Sequence, residues 1–301
     1  MDLVRRVVGA RTLPAWAWAT LAVQSLIIVT GTTVRLTGSG LGCPTWPRCT
    51  ADSFVPQGEL TIHAAIEFGN RLLTFLLIAV ALATFVAALT AWSRDRTRRS
   101  SLVLAIVIGL GVPLQAVVGG ITVRTQLNPF IVAPHLLISV AMVVLSTWLV
   151  RAATRRPGHR AARGGRLLTL LIFCSLMISI WLGTIVTGSG PHAGDAGARR
   201  TGFDIETVAK LHAGSVWVLL GLTVVAVAVL RTRAAVGLLL VLLAQGAIGY
   251  LQYFTGLPVP VVALHMIGIP ACTIAGTWLL LDSRTSAAAA SPAAQIHRVP
   301  S

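Results

Sequence analysis

Charge is scarce in this chain. Asp, Glu, Lys and Arg make up 11% of its 301 residues and only nine are acidic, against 55% hydrophobic residues. So little polar surface cannot coat a soluble globule of this size, which places the chain in a bilayer. Cysteine is also rare, at four. No His, Cys or carboxylate run has the short spacing of a zinc site such as HExxH, and that sets a closed zinc centre aside. The first apolar segment is long and runs into a polar loop without a small-residue cleavage site, so it reads as a membrane helix and not as a cleavable signal. The broken helices and inverted repeat of many transporters are lacking as well.

What is present are apolar stretches long enough for a hydrocarbon core of about 30 Å. They predict eight helices over residues 14–34, 62–92, 101–123, 129–151, 166–187, 204–230, 234–254 and 259–281. The net charge of +15 is distributed as topology requires, so nucleic acid is not an expected partner. Arg5, Arg6 and Arg11, Arg94 to Arg99, Arg151 to Arg166, Arg231 and Arg233, and Arg284 and Arg298 all fall on one side of the proposed membrane. The positive-inside rule makes that side cytoplasmic and puts both termini there. The stretch from Ser283, rich in Ala, Ser and Pro, has no apolar period and reads as a disordered tail in which His297 is solvated.

Two segments align over 21 positions: QAVVGGITVRTQLNPFIVAPH from Gln115 to His135, and QGAIGYLQYFTGLPVPVVALH from Gln245 to His265. The outer loops echo each other too, with GTTVRLTGSG from Gly31 and GTIVTGSG from Gly183. Shared composition does not fix where rare polar residues fall, so the chain reads as a duplicated four-helix unit. An even number of helices per copy predicts a parallel repeat about an axis along the membrane normal. The expected division is 1–157, then 158–283, then a tail of 284–301.

Ionisable groups inside membrane helices are costly and therefore functional candidates. His135, His212 and His265 fall in one layer near the outer ends of helices 4, 6 and 8. A lone histidine of this kind often just bonds across a helix interface, but three at one depth suit a haem slot closed by facing imidazoles. Helix 2 carries His63, Glu67, Asn70 and Arg71. Glu67 is four residues from both His63 and Arg71, so both pairs can touch. Glu67 and Arg71 either neutralise each other or hold a carboxylate beside a reactive centre where its protonation is tunable. Cys43 and Cys49 lie in the first outer loop, facing an oxidising compartment, where a disulfide would act as a loop staple or exchange electrons. Cys174 and Cys272 read as small apolar packers within helices. TGSG in both copies and PHAGD from Pro191 suggest turns whose amides approach anions; His192 there reads as a turn residue. Arg35, Arg124, Arg199, Arg200 and Lys210 lie on the outer side, where haem propionates would need partners.

Together these residues resemble the haem A synthase family, integral membrane enzymes that convert haem O to haem A. The resemblance rests on TGSGLGC with its second Cys, Glu67 followed by FGNR, the hairpin ending at His135, TGSGPHAGD, His212 and His265, and spans residues 20–281. It implies two four-helix bundles related by pseudo-twofold symmetry. The second bundle would hold haem b between His212 and His265. The first would be the substrate site, with His135 and Arg71, the catalytic Glu67, and the Cys43–Cys49 pair nearby; there the C8 methyl is oxidised to a formyl group through hydroxylated intermediates. Many members have Glu-x-x-His-Arg on helix 2, whereas this chain has Asn70 at the histidine position. Counting from the TGSG loops pairs His63 with His212, and counting from the inner helix ends favours Asn70, so both stay open as the second substrate-site position. The expected partners are haem O, the lipid bilayer, a haem O synthase, an electron acceptor of unspecified kind and, in a homo-oligomer, a second copy. The expected location is the cell membrane. A dihaem, quinone-linked electron-transfer protein is the alternative, although it needs neither Glu67 nor a one-sided Cys loop.

Overall fold

A computed structural model describes residues 7–57, 61–155, 159–161 and 163–285. Its helices are α1 Leu13–Leu36, α2 Ile62–Arg94, α3 Arg99–Arg124, α4 Pro129–Thr154, α5 Arg163–Ser189, α6 Ile205–Leu230, α7 Arg233–Phe254 and α8 Val259–Asp282. A 3-10 turn, Arg96–Arg98, links α2 to α3. The eight helices, in described spans of 22 to 33 residues, are each long and apolar enough to cross a membrane. This is a multi-pass all-α membrane protein. The helices run one to three residues past most of the bounds expected from hydropathy, because their ends are set by caps. Thr61 accepts from Ala64 N–H at 3.2 Å, Asp204 from Thr207 N–H at 2.8 Å, and Asn128, followed by Pro129 at the first helical position, from Phe130 N–H at 3.0 Å. Each cap satisfies an amide that the helix leaves unpaired.

Within residues 13–154 the packing runs α1 on α2, α2 on α3, α3 on α4 and α4 back on α1. The same closed order recurs as α5, α6, α7 and α8. Each ring has its own core. Leu13, Ile108, Val143 and Leu149 are buried in the first, and Ile172, Leu219, Leu238 and Leu279 in the second. Fully buried alanines, Ala17, Ala87 and Ala88 in the first ring and Ala226 and Ala235 in the second, let helices approach closely where lipid offers no hydrophobic drive. Large apolar residues such as Leu110, Phe75 and Val229 point outward, as lipid-facing residues do. The rings meet through α8 against α1 and α4, and α4 against α5.

The aligned hairpins also share backbone geometry. Gln126 and Leu127 have φ of 53° and 57°, and their counterparts Gly256 and Leu257 have 77° and 61°. In each turn the leucine N–H reaches back five residues, from Leu127 to Thr122 O and from Leu257 to Gln252 O, both at 2.8 Å. Left-handed backbone is costly for leucine; Leu127 is held there by burial against Ala193 and Ala198.

Three expectations change. The two TGSG segments do not act alike: Gly38 ends α1 with φ of 67°, whereas Thr187–Ser189 continue α5, and a side chain on Gly188 would press on Pro129 and Thr201. Ser283–Thr285 are not tail; they pair in parallel with His159–Ala161. Cys272 packs in the second core, but Cys174 is exposed because its position on α5 faces away from the bundle. The boundary at 157–158, and the tail beyond Thr285 with His297, lie outside the described residues.

Candidate haem site

The histidine layer follows from helix starts. His135 and His265 each lie seven residues past the N-caps Asn128 and Pro258, and His212 lies eight past Asp204. On α2, Asn70 lies nine past the cap Thr61 and His63 only two. Asn70 therefore has the depth of the three histidines, and His63 sits about 10 Å outward along the helix. Hydrogen bonds agree. Asn70 Oδ1 accepts from Thr30 Oγ1 at 2.8 Å, seven residues before the first TGSG, while His212 Nδ1–H donates to Ser179 O at 3.0 Å, eight before the second. The exposed His63 is bonded instead to Ser39 in the loop, at 3.0 Å. Counting from TGSG pairs His63 with His212 because the stretch from TGSG to the helix cap is longer in the first half, Thr37 to Thr61 against Thr187 to Asp204, by the same seven residues that separate His63 from Asn70.

Each imidazole lies against a glycine. A Cβ on Gly119 would stand 3.3 Å from His135 Cε1, one on Gly183 3.3 Å from His212 Cε1, and one on Gly249 3.2 Å from His265 Cε1. Gly119 and Gly249 are equivalent in the repeat, so the space beside the ring is kept in both halves. The repeated glutamines end just inward of the histidines. Gln115 Nε2 donates to Ser139 Oγ at 2.5 Å and more weakly to His135 O, and the Gln245 amide lies against Gly268.

This chemistry suits a haem iron. Nδ1 of His135 and of His265 is buried without a hydrogen-bond partner. The bond to Ser179 fixes the proton of His212 on Nδ1 and leaves Nε2 as a lone-pair donor. His265 and His212 are in electrostatic reach of each other. Among the described residues no three His, Cys, Asp or Glu side chains form a closed metal cluster.

Glu67 lies one turn outward of Asn70 and is 4% exposed. Its Oε2 accepts from Cys43 N–H at 2.6 Å, and its Oε1 from Arg71 at 2.5 and 3.1 Å. Arg71 also donates to the carbonyls of Cys43, Thr45 and Arg48, so its donors are committed to the loop and to Glu67. Cys43 and Cys49 are disulfide-bonded and buried. The loop is seated by close approach: a Cβ on Gly42 would meet the His63 backbone, and one on Gly120 of α3 would meet the Trp46 ring. Candidate roles for Cys43, Glu67 and Arg71 are legible in the sequence, but nothing there shows that the Cys43 amide bonds the loop directly to the carboxylate.

A second set of contacts joins the halves at the Cys-loop end of the bundle, where Gly40 N–H donates to Gly194 O at 2.8 Å and Arg35 Nη2 to Thr187 O at 2.7 Å; within the second half, His192 Nε2 donates to Leu257 O at 3.1 Å. His192, expected as a turn residue, thus ties the PHAGD loop to the second repeated turn. Of the other outer cations, Arg124 and Arg199 are exposed and Lys210 pairs with Glu206.

A family described as "Cytochrome oxidase assembly protein" (COX15-CtaA) matches residues 14–65 and 58–196. Proteins named "Heme A synthase" are similar over part of the chain. That of Listeria welshimeri is 30% identical over 179 residues, 58% of this chain and 55% of its own length. That of Geobacillus kaustophilus is 31% identical over 139 residues, covering 46% and 42%, and that of Geobacillus thermodenitrificans 34% over 143 residues, covering 46% and 43%. The chain thus spans about half the length of the curated relatives it matches. The family match takes in Glu67, Asn70 and His135 and ends before α6, so His212 and His265 are tied to the first half by the internal repeat.

Proposed function

Since the chain belongs to the COX15-CtaA family of cytochrome oxidase assembly proteins, we propose that it is a haem A synthase, oxidising the C8 methyl of haem O to a formyl group through hydroxylated intermediates. The supporting observation is an asymmetry within the duplication. Both halves carry histidines at one depth beside glycines, but among the described residues only the first has a buried carboxylate, Glu67, set against a disulfide loop. A dihaem electron conduit leaves that asymmetry without a role.

In this reading His212 and His265 hold a resident haem b, whose iron supplies electron-transfer capacity when bound. The first half takes haem O as substrate. His135 is its imidazole ligand, and Asn70 stands where the second half has His212, leaving the substrate iron with one histidine. His63, bonded to Ser39, contributes to the loop around the site. Glu67 stabilises positive charge or manages a proton as the methyl is oxidised, lowering the barrier and leaving haem binding alone. Arg71 holds the Glu67 carboxylate in place and closes the Cys43–Cys49 loop over it. The two bundles are related by a pseudo-twofold axis along the membrane normal, both termini are cytoplasmic, and the site opens toward the outer side of the cell membrane. An electron acceptor, a haem O synthase and a second copy of the chain are the partners to seek.

Extraction and mass analysis of haem from cells in which this chain is the sole source of haem A tests the reading. Wild-type protein should yield haem A, and Glu67→Gln should retain haem b while haem O or its hydroxylated form accumulates. Unchanged haem A from the Glu67→Gln protein would remove Glu67 from the chemistry, and no haem A from wild type would remove the function.

A further inference from the structure

Arg35 lies at the outer end of α1, where the two halves touch. Its Nη2 donates to Thr187 O at 2.7 Å, while Nε is buried without a partner. A second guanidinium, Arg200, is near enough for its charge to act on Arg35. Arg200 is itself bonded only to neutral carbonyls, those of Ala198 and Pro191, each at 2.8 Å. The ion pairs among the described residues use Glu67, Asp95, Glu206 and Asp282, and none involves Arg35 or Arg200. The acidic residues on either side of Arg200 are committed elsewhere: Asp195 accepts from Gly197 N–H, and Asp204 caps α6 by accepting from Thr207. Two cations thus face one seam with no negative charge between them, and burying an uncompensated charge is expensive.

Arg35 is five residues outward of Thr30, the residue bonded to Asn70 in the histidine layer, or about 7.5 Å along the helix. We propose that Arg35, supported by Arg200, is the binding site for a carboxylate of the porphyrin held at that layer. A guanidinium with a free Nε edge matches a carboxylate in two-point geometry and keeps its charge at any working pH. Because Arg35 belongs to the first half and Thr187 to the second, occupation of this site also fastens the two bundles together. The assignment rests on the haem-binding reading above.

The test compares two probes on purified full-length protein stripped of haem: ferric protoporphyrin with both carboxylates free, and its dimethyl ester, each titrated by the Soret band. Wild type should favour the diacid by about tenfold or more, the scale of one charge-assisted bidentate bond. In Arg35→Gln the preference should fall to near unity, with ester affinity and Soret position unchanged, and Arg35→Lys should recover part of it. Should Arg35→Gln fail to fold, Arg200→Gln decides, with the preference expected to drop by about threefold from the loss of the second positive charge. A wild-type preference surviving in both Gln variants overturns the site. So does loss of a bound phospholipid in Arg35→Gln by native mass spectrometry with the diacid preference intact, which would assign the guanidinium to a headgroup phosphate. Failure of the haem reading looks different: neither probe gives a Soret shift in wild type, and the carboxylate site falls with it.

Discussion

Glu67 and Arg71 show how far a single pair of residues reaches. A carboxylate at 4% exposure is tolerable only because three donor contacts converge on it, one from Cys43 N–H and two from Arg71. Arg71→Leu strips two of these and opens the Cys loop, leaving a buried charge with one partner; a loss of about 3 kcal/mol or more is expected. Thermal unfolding in detergent should show it, and Glu67→Gln/Arg71→Leu should recover much of the loss, since the uncompensated charge is gone. The histidines make a spectroscopic prediction. If the proposed haem b sits between them, His212→Ala and His265→Ala should each weaken its low-spin spectrum or convert it to high spin, while His135→Ala should leave it intact and reduce binding of added haem. A retained low-spin spectrum in both second-half variants would take the haem away from that pair.

At the scale of elements, the links between helices carry as much information as the helices. The α2–α3 connection is built on Asp95, which accepts from Thr97 and pairs with Arg155 beyond the end of α4. Its exposed carboxyl is held down to about 2 by the Thr97 hydroxyl first and then by Arg155. The folded value lies below the ordinary one. Its stabilising effect is therefore complete above pH 3.8 and is lost as the pH falls toward 2. Asp95→Asn should flatten the pH dependence of the melting temperature in that window, its full but small effect as the loss of one exposed pair being present at pH 7 and gone near pH 2. The repeated turns are elements of another kind. Leu127 and Leu257 hold the same left-handed backbone in both copies, which lets α3 and α7 reverse into α4 and α8 in the same way and brings each histidine opposite its glycine.

For the molecule as a whole, the seam between halves is fastened at two levels. The outer level is the Arg35 and Gly40 contacts. The inner level is Arg151 of α4, which pairs with Asp282 of α8 at 3.0 Å and stacks over Trp278, its centre 5.7 Å from the ring. Arg151 is only 5% exposed and two of its nitrogens lack partners, so it depends heavily on that carboxylate. Arg151→Met should cost more alone than Arg151→Met/Asp282→Leu, because the double variant leaves no orphaned charge; thermal denaturation of the four proteins gives the coupling directly. Orientation is a separate whole-molecule prediction. A reporter fused after Ser301 should stay cytoplasmic, while labelling at Cys43 and Cys49 should require reductant applied from outside.

Membrane placement, the number and bounds of the helices, the duplication and the rank of His135, His212, His265 and Glu67 as candidates were all legible in the sequence. Hydrophobic length, charge asymmetry and rare polar residues in register are properties of the chain itself, and a bilayer translates them directly into spans and depth. The sequence left His63 and Asn70 open, because counting residues assumes equal loops and the Cys-containing loop is longer; counted from the helix caps Thr61 and Asp204, it is Asn70 that shares the depth of His212. It likewise treated the two TGSG segments as equivalent, although one ends a helix and the other continues it. The amide of Cys43 on Glu67, the glycine beside each imidazole and the unneutralised Arg35 at the seam join residues from separate helices and loops. Tertiary structure alone decided these, since nothing in the local sequence encodes which distant backbone atom completes a buried polar group.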